Sequence, residues 1–155
     1  TARIWVYTSS RDFTDTEMKA LTQKLEDFLK VWTAHGQGLM AGFNLPYKRF
    51  IVLGIDQSHA QASGCSIDAS VKFIKTLEAE FQLSLLDNSL IAYKDNYTIK
   101  TVPFTEFKKQ IAQGLITEDT IVFNHLVADK YTYLSKWISP AKDSWHQKFF
   151  PKVKS

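Results

Sequence analysis

With 155 residues, 45% of them hydrophobic and 23% charged, the chain is long enough to bury a core as one domain and too apolar for wholesale disorder. A single cysteine excludes an internal disulfide and four-cysteine zinc sites, and no run approaches the roughly 18 apolar residues of a membrane helix. The net charge of +3 is uneven: residues 130–155 hold six lysines against Asp143 alone, a local +5, while the rest of the chain nets −2.

The chain opens on "RIWVYTSS", a strand over residues 3–8 with Ile4, Val6 and Thr8 on one face and Trp5 and Tyr7 on the other. "TDTE" follows as a capping box, in which the Thr14 hydroxyl accepts from the Glu17 amide and the Glu17 carboxylate accepts from the Thr14 amide. Behind it Met18, Leu21, Leu25, Phe28, Leu29 and Trp32 recur at helical spacing, which predicts an amphipathic helix over 15–32 ended by "HGQG" at Gly36. "LMAGFNL" and "RFIVLGID" read as an antiparallel hairpin turning at Pro46–Lys48, its second strand apolar enough to be central. A second helix is expected over 66–82, with Ile67, Val71, Ile74, Leu77 and Phe81 inward, and a fourth strand over 89–94.

The order βαββαβ is the split βαβ, or ferredoxin-like, plan: an α+β fold with two helices on one face of a four-stranded antiparallel sheet, over about residues 3–94. A C-terminal α/β extension over 97–155 adds a short strand (Tyr97 to Val102), a helix opened by Thr105 with Phe107 and Ile111 inward and Gly114 near its end, and a strand "TIVFNHLV". These additions are expected on the sheet's open face or along its edge, with no linker to divide the chain into two domains.

The chemistry-bearing stretch is "QASGCSIDAS", where the lone cysteine stands at the start of the second helix. Unpaired amides and the helix dipole bind anions and stabilise thiolates there, so Ser63, Gly64, Cys65, Ser66, Asp68 and the preceding Asp56 form a candidate anion or small-ligand site. The competing reading makes Ser66 an N-cap, Asp68 a complement to the dipole in the first turn and Cys65 a small buried apolar group. For catalysis, Cys65 as nucleophile needs His59 or His35 as base. In the expected fold the end of helix one and the start of helix two lie at opposite ends of the sheet, which counts against His35. His125 is expected as a half-buried strand residue sharing a face with Phe123 and Val127, and His146 as a surface residue. Four histidines without HxH, HExxH or CxxC spacing point to no metal, and no cofactor is implied. The P-loop GxxxxGK[ST] is missing, so nucleotide hydrolysis has no support.

"RIWVYTSSRDFTDTE", "WTAHG", "FIVLGID", "QASGCSID" and "SWH", in this order, resemble a group of small Bacteroidetes proteins that carry the label ABC transporter ATPase. The best-marked positions fall at His35, Gly36, Ser63, Gly64, Cys65, Ser66 and Asp68, and what the resemblance implies is a shared site rather than a reaction. The label fits poorly, because this sequence has neither a Walker A segment nor an LSGGQ-like signature.

The sequence thus favours a cytoplasmic, non-catalytic binding or regulatory module, taking a small ligand or protein partner at 63–68. No signal peptide is expected, and a homo-oligomer is compatible with an open sheet face. The alternative is a Cys65-dependent thiol enzyme. A third reading has the basic, aromatic tail (Trp137, Trp145, Phe149, Phe150), together with exposed Trp5 and Tyr7, contacting RNA. Nucleic acid is the weakest of these partners, since the lysines are dispersed and the paired aromatic pattern of RNA-binding sheets is missing.

Overall fold

In a computed structural model, residues 2–34, 40–56 and 64–151 are described, Ala2, Thr33, Ala34, Met40 and residues 64–66 by backbone alone. The first sheet has the order β1–β3–β2, all antiparallel, from β1 (Ala2–Thr8), β2 (Met40–Asn44) and β3 (Phe50–Asp56). The unbroken apolar run of β3 explains its central place: Phe50, Ile51, Val52, Leu53 and Ile55 are all buried, as a strand covered on both faces requires.

Alternation along β1 divides its side chains between two layers. Trp5 and Tyr7, opposite Leu53 and Ile51, face the helices α1 (Asp15–Ala34) and α2 (Gly64–Phe81). Leu21, Leu25, Ile74 and Leu77, placed by helical spacing, close this core, and Phe28 stacks on Phe73 at 4.2 Å to join the two helices. The capping box forms as expected, with the Thr14 amide donating to Glu17 Oε1 at 2.9 Å and the Glu17 amide donating to Thr14 Oγ1 at 3.1 Å.

The fourth strand departs from the expected plan. β4 (Leu90–Asp95) does not join β1; it pairs with β5 (Thr98–Pro103) and β6 (Ile121–Phe123) in a second antiparallel sheet of order β5–β4–β6–β7. A two-residue turn at Asn96 (φ 56°) and Tyr97 joins β4 to β5, and so short a closure costs little chain entropy. With β6 on its other side, β4 has no edge left for β1. The expected strand "TIVFNHLV" also ends early, at Phe123. The Asn124 side chain accepts from the Leu126 amide at 3.0 Å, an Asx turn that folds 124–127 away from the ladder. The remaining elements are α3 (Phe104–Ala112), α4 (Lys130–Lys136) and β7 (Ile138–Pro140), followed by two short 3₁₀ turns.

The second sheet covers the open face of the first, where Val6 and Phe50 meet Ala92, Phe123, Val127 and Trp137. Arg49, 8% exposed, clamps the two together: Nη1 donates to Asp12 Oδ1 at 2.9 Å, Nη2 to the Ser10 carbonyl, and Nε to the Ser9 carbonyl and to Thr101 Oγ1 of β5. A further core lies on the outer face of the second sheet, where Ile91, Tyr93 and Val122 pack with Phe107 of α3 and with Trp145 and Phe149. Among the described residues no helix is long and apolar enough to cross a membrane.

Candidate functional site

The redirection of β4 leaves the outer edge of β1 largely open. One bridge, Arg3 with Asp129, occupies it, and the Ile4 amide donates to the Ala128 carbonyl at 2.9 Å. That bond shows Ile4 presenting its backbone groups outward, and the two-residue repeat gives Val6 and Thr8 the same orientation. Among the described residues, the backbone groups of Val6 and Thr8 make no hydrogen bond across this edge.

A cleft of about 690 Å³ runs along the edge. Its far walls come from Val71 of α2, the segment Leu85–Asn88, Phe104, and the 125–128 turn with Trp145 and Lys148. Most of these side chains are apolar, with a few polar groups converging on them. Lys148 Nζ lies 5.0 Å from the centre of the Trp145 ring and the Arg3 guanidinium 5.0 Å from that of Trp5, and neither forms an ion pair among the described residues. Asp87 is the opposing charge: its Oδ1 accepts from the Ser89 hydroxyl at 2.6 Å and the Ser89 amide at 2.9 Å, which holds the carboxyl below its ordinary range. His125 stands edge-on to Trp145 at 5.6 Å, and burial pushes its imidazole down, leaving it uncharged at neutral pH.

His146 corrects an expectation. It is fully buried rather than superficial, with Nδ1 2.8 Å from the Ser144 hydroxyl and its ring stacked on Trp145 at 4.0 Å. Burial above all, with His125 and Lys148 adding to it, brings its pKa down to about 3. The local run "SWHQKFF" folds as a 3₁₀ turn, whose period differs from those used to read helices and strands.

Of the residues singled out in the sequence, His35, His59 and Ser63 lie outside the described residues, as do the side chains of Cys65 and Ser66. The backbone starts α2 at Gly64, so Ser66 falls inside the helix rather than capping it, and the exposed Asp68 falls in the second turn. Asp56 ends β3, half-buried and opposite both Ala2 and Met40. That register corrects the expectation that the end of helix one and the start of helix two lie at opposite ends of the sheet. α1 closes at the end of the sheet where Trp32 packs on Ile55, β2 begins there, and α2 starts after β3 ends there, so the two helix termini share one end.

The RNA reading loses its platform. Tyr7 and Trp137 are buried, Trp5 is half-buried beneath the helices, and Trp145, Phe149 and Phe150 pack around Phe107. Sequence reasoning missed the cleft because Arg3, Asp87, His125 and Lys148 come from four distant segments with no common motif. The available signals were the polar break at Asn124 within "IVFNHLV" and the adjacency of Trp145 to His146. Among the described residues, no group of three or more His, Cys, Asp or Glu side chains could hold a metal ion. Comparison with protein-family models, curated proteins and solved structures returned no match.

Proposed function

We propose that the protein is a non-catalytic binding module whose ligand occupies the cleft along β1. One observation carries the reading: a concavity of about 690 Å³, mostly apolar, in which a few polar groups from separate segments converge. The first sheet and its helices correspond to three strands of a ferredoxin-like platform, and the missing fourth strand accounts for the cleft's position. Val71 is the α2 residue that lines the cleft, and the helix start singled out in the sequence, Gly64 to Asp68, precedes it along the same helix. The resemblance to the Bacteroidetes group supports a site near these positions and adds no reaction.

The test is titration with 1-anilinonaphthalene-8-sulfonate, an aromatic anion, followed by amide and indole NMR shifts. Shifts should concentrate at Phe104, His125, Trp145 and Lys148, and Lys148→Glu should weaken binding about three- to tenfold. Shifts confined to surface residues away from the cleft, such as Leu115 and Leu134, would refute the assignment. The thiol-enzyme reading retains one supporting observation, the shared end of α1 and α2. Alkylation of Cys65 by iodoacetamide well below pH 8 would transfer the function to that corner.

A further inference from the structure

We infer that the natural occupant of the cleft is an extended peptide segment of a partner protein, which adds to β1 as an antiparallel strand and carries acidic residues flanking an apolar core. The inference rests on the cleft being the binding site and names what it binds. A small apolar ligand needs a pocket, whereas this pocket is floored by a strand edge. Ile4, Val6 and Thr8 present their outward backbone groups along about 13 Å of that edge. Among the described residues the Ile4 amide alone of these groups is bonded, to Ala128. Thr8 is 8% exposed, and beyond it the Ser10 amide donates to the Ser84 carbonyl at 3.0 Å. Open strand edges of this kind are pairing templates, and proteins that do not use them protect them with charges, bulges or proline. β1 has none of these from Ile4 to Thr8, and its one cation, Arg3, stands beyond the open stretch.

The chain already shows the mode of pairing. Ala128 and Asp129 seat antiparallel on β1 at Arg3 and Ile4, and then the Asn124 turn lifts 124–127 clear of the rest of the edge. An added strand would continue that pairing across Val6 and Thr8. Its alternating side chains would meet Val71 and Leu85 on one side and Phe104 and Trp145 on the other. Charge selects its flanks: among the described residues Arg3 and Lys148 form no ion pair, and the two cations outnumber the ionised Asp87 on the rim, so acidic flanks are favoured over basic ones.

The probe is a capped six-residue peptide with a valine–isoleucine–threonine–valine core and a glutamate at each end, added to the full chain and followed by amide hydrogen exchange. Exchange at Val6 and Thr8 should slow about tenfold at saturation. N-methylation of the peptide along one edge should abolish binding, and along the other leave it intact. Lysines in place of the glutamates should weaken it several-fold. If the peptide displaces 1-anilinonaphthalene-8-sulfonate while Val6 and Thr8 remain unprotected, strand addition is wrong and the cleft assignment stands. Failure of both peptide and dye removes the site itself. Protection that grows with protein concentration in the absence of peptide would assign the edge to a second copy of the chain and overturn the inference.

Discussion

The two faces of the first sheet bury their side chains by different means. Under the helices the most deeply buried side chains are aliphatic and periodic, with Leu21, Leu25, Ile74 and Leu77 at helical intervals beneath Tyr7, Ile51 and Leu53, while the rings of Trp5, Phe28, Trp32 and Phe73 stack at their margin. On the opposite face it is aromatic and irregular: Phe50, Phe123 and Trp137 lie 4.9 to 5.4 Å apart, gathered from three separate elements. The helical face spreads its burial over many interchangeable aliphatic contacts. The aromatic face concentrates it in a few large rings that have no substitutes, so single substitutions should separate the two.

The largest effect is expected at Phe123. Phe123→Ala removes the ring that touches Phe50, Tyr47 and Trp137 together and should cost about 3–5 kcal/mol in chemical denaturation. Phe28→Ala, on the helical side and half-buried, should cost about 2 kcal/mol or less. Similar losses would mean that the two faces are not packed differently after all. Next comes Arg49. Arg49→Met keeps much of the aliphatic stem but leaves the Ser10 carbonyl and Thr101 Oγ1 without the donor, and the Ser9 carbonyl with the Thr101 hydroxyl as its remaining donor, an expected loss of about 2–4 kcal/mol. Arg49→Lys should recover less than half, because an ammonium cannot reproduce the fork. Full recovery would show that charge alone holds the sheets together.

The same contrast explains what could be read in advance. Amphipathic spacing and a capping box are local, so α1, α2 and their inward residues were legible from the sequence. The hairpin of β2 and β3 was legible because its turn chemistry at Pro46–Lys48 sits between two apolar runs. The partner of β4 was not, because β1 and β5 compete for it and the outcome depends on a short closure at Asn96. Nor was the cleft, which exists only because that competition was lost by β1. The candidate positions Asp56 and Asp68 were read as ligand-binding from neighbouring sequence, whereas the polar groups of the cleft converge from distant segments.

Acidification should act first on the aromatic half. His146 is held uncharged in the fold down to about pH 3, while in the unfolded chain it takes a proton near 6.5. Between these values the unfolded state binds more protons, so stability is complete above pH 6.5 and falls as the pH is lowered. At pH 5 the loss should be about 2 kcal/mol in a denaturant series. His146→Gln should start from lower stability but lack this dependence. An unchanged slope would move the titration to another group.

The helical half should respond to acid later and more weakly. Glu17 accepts from the Arg11 guanidinium at 2.8 and 2.9 Å and from the Thr14 amide, which lowers its pKa to about 2 from the ordinary 4.5. Its contribution is therefore present above pH 4.5 and disappears as the pH falls towards 2, below most of the window in which His146 acts. Arg11 also donates to the Phe81 carbonyl at 2.7 Å, so this small network ties the start of α1 to the end of α2. Thr14→Ala should cost about 1 kcal/mol through the lost cap, with amide protection falling in the first turn of α1 and unchanged in the second sheet. If protection fell equally in β4 and β6, the two halves would open as one unit, and the difference between their faces would be one of composition rather than of independent stability.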